Sequence, residues 1–223
     1  MQSRKLWQAI FFILLIGFSG TATMAQSNKN IVTLNGGQTV LYTGPRQPVA
    51  PGQVPAKAVT IYSNLGTKNS RYNGSAGVGI LGRDAGQPWP EAVANGFTPL
   101  VDHIVQAIQV GLGYVSGSNE VVVALMDDNH GNPGHILHAW HVSNLPPFGS
   151  CCTLETVYDK AGIPVTGGVQ YWVVVAPADP NGNTYAVWDN NISNLNGAFD
   201  NDIGSGWQGQ SYQTLAAFAV YGQ

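Results

Sequence analysis

The sequence predicts an all-β fold, an antiparallel β-sandwich, and two observations carry that reading. Short apolar runs recur between turn clusters: VTIY at 59–62, VGIL at 78–81, VVVALM at 121–126, YWVVV at 171–175, YAVW at 185–188 and AAFAVYG at 216–222. They have strand length, are rich in β-branched and aromatic residues, and are bounded by Asn, Asp, Gly and Pro. The composition agrees, since the chain holds 28 Gly and 13 Pro and only 9% charged residues, so turns are plentiful.

Along the chain, Arg4-Lys5 precedes an apolar run from Leu6 to Phe18, and Thr23-Met24-Ala25 supplies the small residues a signal peptidase needs. Residues 1–25 are therefore read as a secretory signal peptide whose apolar core is too short for a stable membrane span. Residues 26–57 form an N-terminal extension. In it, Ile31 to Leu34 and Gln38 to Tyr42 flank Asn35-Gly36-Gly37 as a small hairpin or an added arm, and Thr43 to Lys57, with four prolines, reads as a linker. The β-sandwich domain is assigned to residues 58–223, about the size of one domain with a substantial core.

Within that domain, Asp102 to Gly113 fits a helical stripe and a strand equally by its apolar residues, and Gly111 and Gly113 tip it to strand. The runs Asp127 to Gly134 and Asp179 to Asn183 are dense in turn formers and are expected as hairpin loops. No repeat of fixed period is visible.

The formal charge of −3 becomes about two units more negative once Arg4 and Lys5 leave with the leader, so no footprint for nucleic acid or anionic lipid is expected. After the leader no apolar run reaches membrane-spanning length, and no membrane insertion is expected after signal cleavage.

The order of IYSNLG at 61–66, GNPGHILHAWHVSNLP at 131–146, YWVVV, YAVW-DNN at 185–191 and AFAVYG at 217–222 resembles the choice-of-anchor R type domain of secreted bacterial proteins, over about residues 58–222. That resemblance implies a jelly-roll-like sandwich and supplies no catalytic residues. Members of this type often carry a sorting anchor such as a PEP-CTERM tail, whereas this sequence ends on the last strand, so free release, to periplasm or medium, is the expectation.

Cys151 and Cys152 are the only cysteines and are adjacent. In an oxidising compartment they are read either as a vicinal disulfide, which needs a distorted or cis peptide in a tight turn, or as a reduced pair. The C-x-x-C spacing of a redox enzyme is absent. His130, His135, His138 and His141 invite a zinc reading, but an extended chain puts His135 and His141 on one face and His138 on the other, beside Ile136, Trp140 and Val142.

Asp127, Asp128 and Asn129, and again Asp179, Asn181 and Asn183, alternate side-chain oxygens of the class calcium prefers, and Asp200-Asn201-Asp202 adds another cluster. Calcium is thus the one candidate cofactor, against the plain reading of Asx residues in turns. Glu91, Glu120 and Glu155 form no evident glycosidase pair with the aspartates, and G-x-S-x-G and phosphate-binding glycine motifs are missing.

Trp89, Trp140, Trp172, Trp188 and Trp207 remain as stacking faces for sugars. Trp140 and Trp172 lie in apolar strand patterns and are expected in the core. Trp188, Asp189, Asn190 and Trp207 sit at expected strand ends, where a ring beside amides and carboxylates suits a sugar. The sequence therefore favours a secreted, non-catalytic module that binds extracellular or cell-wall polysaccharide. A structural or adhesive matrix protein acting through protein contacts comes next, and a glycoside hydrolase third.

Overall fold

The computed structural model describes residues 53–223 and, as backbone, the strands β1 (Asn30–Leu34) and β2 (Gln38–Tyr42). β1 and β2 pair antiparallel with Ile31 opposite Leu41, which agrees with the hairpin, the first of the two readings of this segment. Residues 1–25, read as the leader, and residues 43–52 of the 43–57 stretch read as a linker lie outside the described residues.

From Val59 onward strand follows strand, and no helix occurs among the described residues. The strands are β3 (Val59–Ser63), β4 (Asn73–Leu81), β5 (Ala92–Phe97), β6 (His103–Val110), β7 (Leu112–Ser116), β8 (Glu120–Asn129) and β9 (Asn132–Ser143). They continue as β10 (Glu155–Val165), β11 (Tyr171–Pro177), β12 (Tyr185–Asn190), β13 (Asn196–Asp202), β14 (Ser211–Thr214) and β15 (Phe218–Gly222). A six-stranded sheet has the order β14-β13-β5-β11-β8-β9, a four-stranded sheet β10-β6-β15-β3, and a three-stranded sheet β4-β12-β7. Every pairing within them is antiparallel.

The main core lies where the six-stranded sheet faces the two smaller ones, making an all-β sandwich. Val93, Phe97, Val123, Leu125, Val173 and Phe199 meet Ile108, Phe218 and Val220 of the four-stranded sheet and Ile80, Leu112 and Trp188 of the three-stranded one. Because side chains alternate along a strand, the intervening residues of the six-stranded sheet point the other way. Ala92, Ala94, Val122, Ala124, Met126, Trp172 and Val174 form a second buried cluster there. β8 and β11 therefore carry apolar residues on both parities, the pattern of strands covered on both faces.

Asp102 to Gly113 is extended, as its glycines predict, and it spans two sheets. The chain leaves the four-stranded sheet at Gly111, whose N–H donates to Ala217 O (3.1 Å) and whose carbonyl accepts from Asp189 N (2.9 Å). A Cβ on Gly111 would stand 2.8 Å from the Tyr72 ring, so the close approach of that ring requires glycine.

Three local expectations are corrected. The segment Asp127 to Gly134 is not a long loop: β8 runs to Asn129, β9 starts at Asn132, and the reversal is made by His130 (φ 56) and Gly131 (φ 85) alone. The ladder overrides the turn propensity of the aspartates, because Asp128 is tied by its side chain to Gly131, Gln170 and Trp172. In β9, Leu125 pairs His138 while Met126 pairs Ile136, so Leu137 is a bulge. It turns Ile136 to the second cluster while Trp140 and Val142 enter the main core, and Ile136 does not share their face. Asp179 to Asn183 does form a turn, closed by Gly182 N to Asp179 O (3.0 Å), but it is not a hairpin loop: it carries the chain from β11 in the six-stranded sheet to β12 in the three-stranded one.

Candidate functional site

Trp188 is not a surface ring. β12 is the middle strand of its sheet, and Trp188 packs fully buried in the main core, edge-on to Phe218 with centroids 6.0 Å apart. Its indole N–H donates to Ala217 O (3.0 Å). Asp189 is also buried, with Oδ1 unpartnered, and desolvation pushes its carboxyl up to about 8. Asn190 is half-buried and its Oδ1 lacks a partner. The sugar platform read at Trp188-Asp189-Asn190 is therefore corrected: none of the three presents an open stacking surface.

Trp207 lies elsewhere. It is half-buried in the connection from β13 to β14 and packs on the second cluster, across the six-stranded sheet from Trp188. Tyr212, which sequence reasoning missed, shares this side. It pairs in register with Ala198, a residue of the second-cluster face, and is 76% exposed. Its strand is the sheet edge, so no neighbour covers the ring.

The floor beside Tyr212 is low and polar. Ala198 and Gly96 are small, and a Cβ on Gly96 would lie 2.8 Å from that of Ala198 and 3.5 Å from the Gln170 amide carbon. Gln170 Nε2 donates to Gln210 Oε1 (2.9 Å) and Asp128 Oδ1 (3.0 Å). Asp128 Oδ1 also accepts the Trp172 indole N–H (2.8 Å), and its Oδ2 accepts Gly131 N (3.0 Å). Two amides are thus held in fixed orientation near an exposed phenol, an arrangement able to stack a flat apolar face and read hydroxyl groups.

Several oxygens of the metal candidates already accept hydrogen bonds. Asp127 Oδ1 accepts the His135 N–H, and its Oδ2 lies 3.2 Å from His135 Nδ1. Asn129 is exposed at the hairpin end. Asp179 Oδ1 accepts Asn181 N (2.9 Å), and Asn183 Oδ1 accepts the Ser118 N–H (2.9 Å) and hydroxyl (3.0 Å). Among the described residues no three His, Cys, Asp or Glu side chains gather as a metal group. The histidines also separate: His138 Nδ1 lies 3.3 Å from Asp159 Oδ2 and its ring packs 4.5 Å from Trp140, away from the His135–Asp127 pair. Burial lowers the His138 pKa while Asp159 opposes that shift.

Asp200 and Asp202 differ from those turns. They alternate on β13, are 1% and 0% exposed, and each leaves Oδ2 without a partner. Glu91, by contrast, is held by the Asn201 amide (2.9 Å), and burial raises its pKa. Glu120 opens β8 and Glu155 opens β10, in different sheets, so the glutamates do not form a pair.

Cys151 and Cys152 form a disulfide across a cis peptide, with Cα atoms 3.1 Å apart. The loop sits against the start of β4: Arg71 N donates to Cys152 Sγ (3.2 Å), and Cys151 Sγ lies 3.6 Å from Tyr72 O. Pro146 and Phe148 anchor it upstream through backbone bonds to Tyr114 (2.7 and 2.8 Å). Comparison of the chain with protein-family models, curated proteins and solved structures found no match.

Proposed function

We propose that this domain is an exported, non-catalytic module that binds extracellular or cell-wall polysaccharide along the β13–β14 edge of its six-stranded sheet. The observation that carries the reading is Tyr212, a ring 76% exposed on an edge strand, with the fixed amides of Gln170 and Gln210 nearby. A rigid aromatic costs little conformational entropy when a ligand stacks on it, and preset amides choose among hydroxyl patterns. Trp207 extends the apolar surface from the adjoining loop. The signal-peptide reading of residues 1–25 supports an extracellular setting, and N-terminal sequencing of exported protein should find the chain starting at Gln26.

Affinity electrophoresis of the mature protein against cell-wall and matrix polysaccharides tests the reading. Retardation by at least one polysaccharide, lost in Tyr212→Ala with an unchanged melting temperature, supports it. No retardation of wild type by any of them leaves assembly through protein contacts as the better account.

A further inference from the structure

The carboxylates of Asp200 and Asp202 share the second-cluster side of β13, since their cross-strand partners are Ala94 and Ala92 of that cluster. The chain from Ile203 to Gln210 then folds back over them. Asp202 Oδ1 accepts Gly204 N (2.7 Å) and Gly206 N (3.0 Å), and Asp200 Oδ1 accepts Asn201 N (2.8 Å) and Gly209 N (3.1 Å). Gly204, Gly206 and Gly209 have φ of 96°, 96° and 103°, so a left-handed backbone delivers these N–H groups. One oxygen of each carboxylate is thereby locked.

The other oxygen of each is buried and bonded to nothing. A desolvated carboxylate oxygen without a partner is costly, and two adjacent ones repel. No ion-pair partner serves either carboxylate among the described residues.

We propose that Asp200 and Asp202 bind one calcium ion through their Oδ2 atoms inside the Ile203–Gln210 loop. Two carboxylates balance a divalent charge. Only oxygen donors are in play, which suits a hard cation, and the irregular geometry of a glycine-rich loop suits calcium better than the strict octahedron of magnesium. This site lies apart from the Asp127 and Asp179 turns, where Asp127 Oδ1, Asp179 Oδ1 and Asn183 Oδ1 already accept bonds.

Mature protein, stripped with a chelator, is titrated with CaCl2 by calorimetry and with Tb³⁺ while exciting tryptophan. Expected are single-site calcium heat, a melting temperature that rises with calcium and falls back on chelation, and Tb³⁺ emission sensitised by Trp207, whose backbone bridges to Asp202. Asp200→Asn and Asp202→Asn should each weaken calcium binding about tenfold or more. Asp127→Asn and Asp179→Asn should leave it unchanged. Trp207→Phe should dim the Tb³⁺ emission while keeping the calcium heat, a result that does not depend on the Asn variants folding. Absence of calcium heat in wild type overturns the proposal, as does heat retained by both Asn variants or lost in Asp127→Asn or Asp179→Asn. Because Tyr212 takes no part in the cluster, Tyr212→Ala separates this proposal from glycan binding: it should keep the calcium heat whether or not a polysaccharide is bound.

Discussion

Trp188 and Trp207 stand on opposite sides of the six-stranded sheet, the first within the main core and the second against the outer cluster. Truncating them should therefore have different consequences. Trp188→Ala removes a fully buried ring and its hydrogen bond to Ala217, and should destabilise the fold by about 3–5 kcal/mol in denaturant titrations. Trp207→Ala should lower polysaccharide affinity by about 1–3 kcal/mol, with a smaller loss of stability. Equal destabilisation by the two variants would place Trp207 in the structural core and leave Tyr212 as the sole stacking ring.

The β8–β9 hairpin offers a backbone test. Gly131 has φ 85, and a Cβ there would meet nothing closer than Gln210 at 3.6 Å. The cost of Gly131→Ala is thus conformational rather than steric, about 1–2 kcal/mol. His130, at φ 56, occupies a position where Asn is better tolerated, so His130→Asn should offset part of that loss. Equilibrium unfolding of the single and double variants measures both.

The disulfide joins neighbours, so it closes almost no loop and restricts the unfolded chain hardly at all. Non-reducing peptide mapping should recover Cys151 and Cys152 in one peptide with no alkylatable thiol. Their joint replacement by serine should move the melting temperature only slightly, and a large drop would mean that the loop's contacts with Arg71 and Tyr72 depend on the bond.

How much of this was legible in the sequence depends on what kind of force shapes each segment. β8, β11 and β12 are visible because apolar, β-branched residues dominate them. β13, with the sequence NGAFDND, has no apolar run to mark it, and it is a strand because β5 and β14 flank it and loop amides hold its aspartates. Adjacent cysteines left each other as the sole intrachain partner, so the bond was among the readings the sequence offered. Trp188 misleads because Asp189 and Asn190 after it look like a strand end, whereas burial there comes from β4 and β7 on either side, which local composition does not encode. Tyr212 escaped notice because SYQT is too short and polar to register as a strand. Its one signal is the ring between polar neighbours just after the glycine-rich loop.

Asp189 gives the fold a specific dependence on pH. Desolvation raises its carboxyl from the usual 3.8 to about 8 in the folded protein, and its buried Oδ1 has no donor to hold the charged form. The unfolded chain gives up this proton near pH 4 and the folded chain only near pH 8, so between those values the folded state binds more proton. Stability from this group is therefore whole below about pH 4 and declines as the pH rises, until above about 8 both states are ionised and the folded one carries a buried charge. Asp189→Asn keeps the shape and removes the titration. Its melting temperature should fall less than that of wild type from pH 4 to 8, and at pH 8 the variant should be the more stable protein. Asp200 titrates in both, so the difference between the two curves isolates Asp189. Parallel curves would show that Asp189 exchanges no extra proton on folding, and that its carboxylate is held ionised.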